Sequence, residues 1–206
     1  MLRRTKWIVL GVAVLLAVYG VTTVVVAPPS GAFVTGFVGV WMHGTGVRIE
    51  YPERLSQTQY RAFHARIEGN ANTSNWLHFP ITTPVVGFFL TGGEDKPIQT
   101  HYRRYRLEKV FVSFRSGSID ARVTSVRVYD GSTQIASFDN LNLFGEQPMN
   151  EFVLPDSPEV MQGVCISLGV EFGASGQRWM ELQSVGADLY FQETLTQTPF
   201  GPVWGG

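Results

Sequence analysis

The chain holds four histidines, His43, His64, His78 and His101, and one cysteine, Cys165. Two of the histidines stand two residues after a tryptophan, in Trp41-Met42-His43 and Trp76-Leu77-His78. An indole offers a flat apolar face on which a sugar ring or a base stacks, and an imidazole adds an orienting hydrogen bond. Trp41, His43, Trp76 and His78 are therefore the candidate ligand-binding residues, read as the lining of one surface pocket. The structural alternative puts both indoles in the core and both imidazoles on nearby carbonyls. A second candidate is a loop that mixes basic and aromatic side chains: Lys96, His101, Tyr102, Arg103, Arg104, Tyr105 and Arg106. Such a mixture grips phosphate headgroups, acidic polysaccharides or nucleic acid. Glu94 and Asp95 offset part of its charge, and the structural alternative, a solvated hairpin that blunts a sheet edge, accounts for it more simply.

No catalytic set emerges. Glu50, Glu53 and Asp130 are candidates for the paired carboxylates of glycoside hydrolysis, which must stand about 5 to 9.5 Å apart. Their spacing does not single them out, and Glu53 after Pro52 and Asp130 before Gly131 occupy turn positions. Asp130, Asp139, Asn140 and Asn142 lack the twelve-residue calcium-loop pattern. No histidine has a second ligand at helical spacing and there is no cysteine pair, so neither a metal nor a cofactor is expected. Neither a Gly-x-Ser-x-Gly elbow nor a phosphate-binding loop is present. Cys165 lies in the apolar run Gly163-Val164-Cys165-Ile166-Ser167-Leu168, which makes it a small strand residue facing the interior.

The elements that must position these residues are strands. Period-2 alternation marks Phe37 to Met42, Phe63 to Glu68, Val110 to Arg115, Val123 to Tyr129, Val164 to Phe172 and Val185 to Phe191. Val47 to Tyr51 reads as a strand joined to the first by a hairpin-like turn at His43-Gly44-Thr45-Gly46. Trp76 to Phe79, stopped by Pro80 and Pro84, reads as an edge strand. Val85 to Leu90, Ile135 to Phe138 and Asn150 to Leu154 complete the set, and Asp130-Gly131 closes a tight turn. No amphipathic helix follows the first 27 residues. The expected fold is all-β, an antiparallel and jelly-roll-like β-sandwich of roughly nine to eleven strands over residues 37–193, with barrel closure as the alternative. Residues 28–36 read as a linker and 194–206 as a frayed tail whose Phe200, Val203 and Trp204 dock on this domain, on a partner or nowhere.

Ahead of this domain, Trp7 to Ala27 is an uncharged apolar run. As a helix it is about 31 Å long, enough to cross a bilayer core of about 30 Å. Arg3, Arg4 and Lys6 precede it, which places residues 1–6 in the cytoplasm and the domain outside, on a single-pass membrane protein. A cleaved signal peptide is the competing reading and gives a secreted domain. Without those three cations the folded part carries about −4 by formal count, from 16 basic and 17 acidic residues in the whole chain. A nucleic-acid binder carries a broad basic excess, so no nucleic-acid partner is expected.

The order of segments resembles a family of small, uncharacterised microbial β-sandwich proteins. The residues that carry the resemblance are Val40-Trp41-Met42-His43-Gly44, Asn75-Trp76-Leu77-His78-Phe79-Pro80-Ile81-Thr82-Thr83-Pro84, Val126-Arg127-Val128-Tyr129-Asp130-Gly131 and Gly163 to Leu168. The resemblance covers about residues 40 to 192 and implies a fold and no activity. Arg127 stands where that family often has His, and the stretch from about Gly92 to Arg106 looks like an insertion. The functional reading is a non-enzymatic binding or assembly module at the cell surface, with a glycan or a protein as partner. The alternatives are a subunit of an extracellular polymer, built by strand complementation through the tail or the Phe33 to Val40 segment, and a cell-envelope polysaccharide hydrolase.

Overall fold

Alternation of apolar and polar side chains forces each strand to hide one face, and two sheets hide those faces against each other. The computed structural model describes residues 13–16, 21–24, 33–93, 96–198 and 201–204, with side chains over 36–87 and 102–191. In chain order the strands are β1 (Ala13–Leu16), β2 (Val21–Val24), β3 (Phe33–His43), β4 (Arg48–Ile49), β5 (Leu55–Tyr60), β6 (Ala65–Gly69), β7 (Thr73–Pro80) and β8 (Val86–Gly93). They continue with β9 (Lys96–Arg104), β10 (Arg106–Ser116), β11 (Ala121–Asp130), β12 (Thr133–Phe138), β13 (Glu146–Val153), β14 (Val164–Phe172), β15 (Trp179–Thr198) and β16 (Gly201–Trp204). The first large sheet, sheet I, runs β13-β10-β15-β6-β5, with β3 and β16 also on β15; sheet II runs β12-β11-β14-β7-β4. Both are antiparallel. Sheet I turns Val38, Val40, Ile67, Val110, Val112, Phe114, Leu182, Val185 and Leu189 inward. Sheet II meets them with Leu77, Phe79, Val126, Val128, Ile166, Leu168 and Phe172. The all-β antiparallel sandwich expected from alternation is the fold observed.

Four local expectations differ from it. Residues 43–46 are not a hairpin: β3 pairs with β15 and β4 with β7, so the 3-10 turn Gly44–Gly46 carries the chain from one sheet to the other. A side chain on Gly44 would run into the backbone carbonyl of Leu182, which explains glycine at this crossing. Trp76 to Phe79 is not at an edge, because β7 pairs along its length with β14 and at two residues with β4. Pro80 is tolerated as the last residue of the strand. β3 begins at Phe33, inside the expected linker, and pairs through it with β15 as far as Thr194. The Phe33 to Val40 segment, a candidate for completing a neighbour's sheet, is thus paired within its own chain. The expected tail likewise continues as strand to Thr198 and returns as β16.

Of the segment Trp7 to Ala27, expected as a helix, the described residues form β1 and β2, an antiparallel pair; the remainder, with residues 1–6, lies outside the described residues. The β-branched run Val21-Thr22-Thr23-Val24 favours an extended backbone. Among the described residues no helix is long and apolar enough to cross a membrane. The segment singled out as an insertion, from about Gly92 to Arg106, supplies the end of β8 and all of β9, two strands that pair with each other and with neither large sheet.

Candidate functional site

The outward face of sheet I is built in rows across three strands. One row is Trp41 on β3, Gly186 on β15 and Phe111 on β10. The indole of Trp41 stacks on the Phe111 ring, centroids 5.4 Å apart and planes 24° from parallel. It lies over Gly186, where a Cβ would come within 2.6 Å of the indole. Glycine in the middle of a strand is costly in itself, and here it is the floor on which the ring lies flat. Trp41 remains 50% exposed. The next row holds Gly39, Asp188 and Lys109, and Lys109 Nζ pairs with Glu151 at 3.0 Å. Partial burial pushes the Asp188 carboxyl up, and the Lys109 ammonium opposes that rise. One row further, Phe37, 55% exposed, faces Tyr190 with centroids 6.2 Å apart. Aromatic pair, polar row and aromatic pair thus follow one another along the strands. On the other side of Trp41 stand His43 and Ser184, then Ser113, whose hydroxyl donates to Gln183 Oε1 at 2.7 Å.

Below these rows the same face is closed by a charged cluster. Glu181 is 3% exposed and accepts hydrogen bonds from Arg66 at 2.9 Å and from Arg115. Arg66 in turn covers the Trp179 ring at 4.2 Å. Burial raises the Glu181 carboxyl, but the two guanidinium hydrogen bonds outweigh it and hold the group below the usual carboxylate range. This carboxylate is spent on structure, joining β6, β15 and β10.

Trp76 and His78 point the opposite way, out of sheet II. The structure therefore does not bring the four predicted residues together: Trp41 and His43 share one face of the sandwich, Trp76 and His78 the other. His78 Nδ1 lies 2.8 Å from Ser167 Oγ and its Nε2 3.1 Å from Glu50. The order of groups is that of a Ser-His-acid triad. Ser167, however, is 1% exposed, and as a mid-strand residue its backbone sits in ladder register with His78 and Arg127. A substrate carbonyl has no approach to that hydroxyl, so the arrangement orients the imidazole and does not support acyl transfer.

The basic and aromatic loop is also divided. Lys96, His101, Tyr102, Arg103 and Arg104 lie on β9 of the outlying hairpin, and Tyr102 is 65% exposed. The side chains of Lys96 and His101 lie outside the described set. Arg103 Nη1 donates to the carbonyl of Tyr102. Arg106 belongs instead to β10, donates to the carbonyl of Asp156 at 3.0 Å and pairs with Glu159 at 3.8 Å. Tyr105 is core, edge-on to Phe191 at 5.5 Å, and roots the hairpin in the sandwich. Among the carboxylates, Asp130 accepts from the backbone N–H groups of Met161, Gln162 and Gly163 at 2.7 to 2.9 Å. Its place in the Val-Tyr-Asp-Gly block is thereby structural: it ties the loop before β14 to the end of β11. A group of three or more His, Cys, Asp and Glu side chains able to hold a metal is absent among the described residues. A shallow cleft of about 640 Å³ opens between the edge strands β4 and β5, lined by Thr45, Val47, Arg48, Ile49, Thr58 and Tyr60 among others.

The residues that sequence reasoning missed are Phe37, Phe111, Asp188, Tyr190 and above all Gly186. A usable signal was present: Phe37, Gly39 and Trp41 occupy the outward positions of a strand whose inward positions are all small or apolar, and Gly186 interrupts the last apolar stripe.

Fold and geometry together define an antiparallel β-sandwich that presents stacked aromatic side chains on an open sheet face. The chain itself belongs to a family of unknown function (DUF6623), matched over residues 37–194, in keeping with the resemblance to an uncharacterised β-sandwich family. No protein of curated function matches the sequence. Among solved structures the chain is similar to a low-affinity xylan-binding module from Roseburia intestinalis, at 11% identity and TM-score 0.41, covering 74% of this chain and 96% of that one. It is similar also to the CBM27-1 module of Caldicellulosiruptor saccharolyticus in complex with mannohexaose, at 11% identity and TM-score 0.40, covering 72% and 95%. A cyclase from Fischerella sp. TAU follows at 12% identity and TM-score 0.34, covering 75% and 88%. At these values no ligand and no activity is carried over from them.

Proposed function

We propose that the domain is a non-enzymatic binding module that takes a saccharide chain on the open face of sheet I and is displayed outside a membrane. The observation that supports this most directly is the Trp41 indole, half exposed and held flat by Gly186 and Phe111. A large apolar ring left in water without a partner is unfavourable, and a flat one matches the apolar face of a pyranose. The Phe37–Tyr190 pair stands four residues further along β3, about 13 Å away at the rise of a strand. Between the pairs, Asp188, Lys109 and Glu151 offer hydrogen-bond partners to hydroxyl groups. Stack, polar row and stack suit a chain of a few sugar rings lying along the strands.

The test is affinity electrophoresis of the full chain through a panel of neutral polysaccharides, followed by calorimetry on any that retards it. Trp41→Ala removes the central ring, and for a buried aromatic anchor the expected loss is about 2 kcal/mol, roughly thirtyfold in Kd. His78→Ala, on the far face, leaves the affinity as it was. Retardation by no polysaccharide, or equal affinity in wild type and Trp41→Ala, refutes the reading. Exposure of the domain to added protease in intact cells tests its display.

A further inference from the structure

The outward face of sheet II carries a row that the proposed saccharide site does not use. Across the strands it reads Arg48 on β4, His78 on β7, Ser167 on β14, Arg127 on β11 and Ser137 on β12. The two arginines stand three strands apart, about 14 Å at the usual strand spacing. Arg127 lies face-on to Trp76, its guanidinium carbon 4.5 Å from the ring centroid. Its Nε is shut off from solvent with no hydrogen-bond partner, and among the described residues neither Arg127 nor Arg48 has a carboxylate within ion-pair distance. The acids on this face are engaged elsewhere: Glu50 with His78, Asp139 with the Ser137 hydroxyl and Glu171 with Arg122. Arg66, Arg106, Arg115 and Arg122 each meet a glutamate, and Arg54, Arg61 and Arg178 donate to carbonyl or amide oxygens.

An unpaired guanidinium stacked on an indole is a costly thing to hold half-buried unless something completes it. What completes it is constrained by shape. The flat fork of an arginine pairs bidentately with a planar carboxylate, and the Trp76 ring beside it is an apolar face for a sugar. The folded part as a whole is acidic by formal charge, so a polyanion is not drawn here by a general field and must be held by these local contacts. We infer that the outer face of sheet II is a second, independent binding site, for the carboxylate groups of an acidic saccharide lying across the strands from Arg48 to Arg127.

The experiment titrates the full chain with tetragalacturonate, with its neutral methyl ester and with dextran sulfate, at two ionic strengths. Expected are saturable binding of tetragalacturonate that weakens with salt, and binding of the methyl ester that is about tenfold weaker or more. Arg127→Gln is expected to lose about tenfold, and Arg48→Gln, exposed and free of structural contacts, several-fold. Trp41→Ala leaves this binding unchanged while weakening the neutral-chain site roughly thirtyfold, which separates failure of one site from failure of the other. Equal affinity for the acid and the ester overturns the inference. So does unchanged binding in Arg48→Gln and Arg127→Gln when both melt like wild type. Dextran sulfate, anionic vesicles or RNA bound with the same sensitivity to the two variants, while tetragalacturonate is ignored, overturns it as well.

Discussion

Replacing Gly186 by alanine separates the binding face from the fold that carries it. The added Cβ would sit 2.6 Å from the Trp41 indole, whereas carbon atoms rest at about 3.5 to 4.0 Å. The ring must therefore rise by roughly 1 Å, and being half exposed it has water to rise into. The costs are the stacking on Phe111, about 0.5 to 1.5 kcal/mol, and some of the area the indole covers. Against this, alanine narrows the unfolded ensemble and restores about 0.4 to 1 kcal/mol. Net stability then changes by less than about 1 kcal/mol, while the stacked platform is lost. Urea unfolding measures the first quantity, and titration with whichever neutral polysaccharide retards the wild type measures the second, with an expected loss of about tenfold or more. Gly44 is the internal contrast, because there the added carbon meets the Leu182 backbone carbonyl and nothing flexible can yield. Gly44→Ala is expected to cost about 3 kcal/mol. If Gly186→Ala binds like wild type, Trp41 is not the anchor. If it unfolds like Gly44→Ala, the indole is a core residue and the platform argument fails.

The remaining predictions concern what holds the faces in place. Asp130→Ala leaves three loop N–H groups without their acceptor and is expected to cost about 3 kcal/mol by urea unfolding. Asp130→Asn retains the oxygen serving Gln162 and Gly163 and is expected to cost less than half of that; equal losses would contradict the assignment. Glu181 titrates below its unfolded value of 4.5. Its contribution is therefore complete above that pH and is lost as pH falls through the lower folded value. Stability measured from pH 6 to pH 2 should fall less steeply below about pH 4.5 in Glu181→Gln than in wild type, and parallel curves would show that the Arg66–Glu181–Arg115 cluster is not the acid-sensitive element.

Much of the sandwich was legible because a period of two is a strong signal where one face is buried. Val185, Ala187 and Leu189 alternate over a continuous core, and their strand lies where the stripe puts it. The pairing of strands was not legible, since alternation fixes which face a residue takes and says nothing of its neighbour. That is why Gly44–Gly46 looked like a hairpin when it is a crossing between sheets. The site suffered from the same limit. Trp41 and Trp76 sit in similar local patterns, each two residues before a histidine, and nothing local distinguishes an outward position on one sheet from an outward position on the other. Only the pairing of β3 with β15 and of β7 with β14 separates them.

That separation has a consequence for the chemistry of the whole domain. A single pocket built from two tryptophans and two histidines would have been concave and selective for one small ligand. Two outward faces, back to back across one core, suit extended ligands. The glycines under the rings mark this in both sheets: Gly186 lets Trp41 lie flat, and on β14 a Cβ at Gly169 would crowd Ser125 and approach Trp76 within 3.1 Å. In each sheet a central strand gives up a side chain so that an aromatic from its neighbour can cover the backbone. The rings differ in what completes them, Phe111 beside Trp41 and the Arg127 guanidinium over Trp76. In the two proposed sites, the apolar partner would suit the first face to uncharged rings and the cationic one would suit the second to acids.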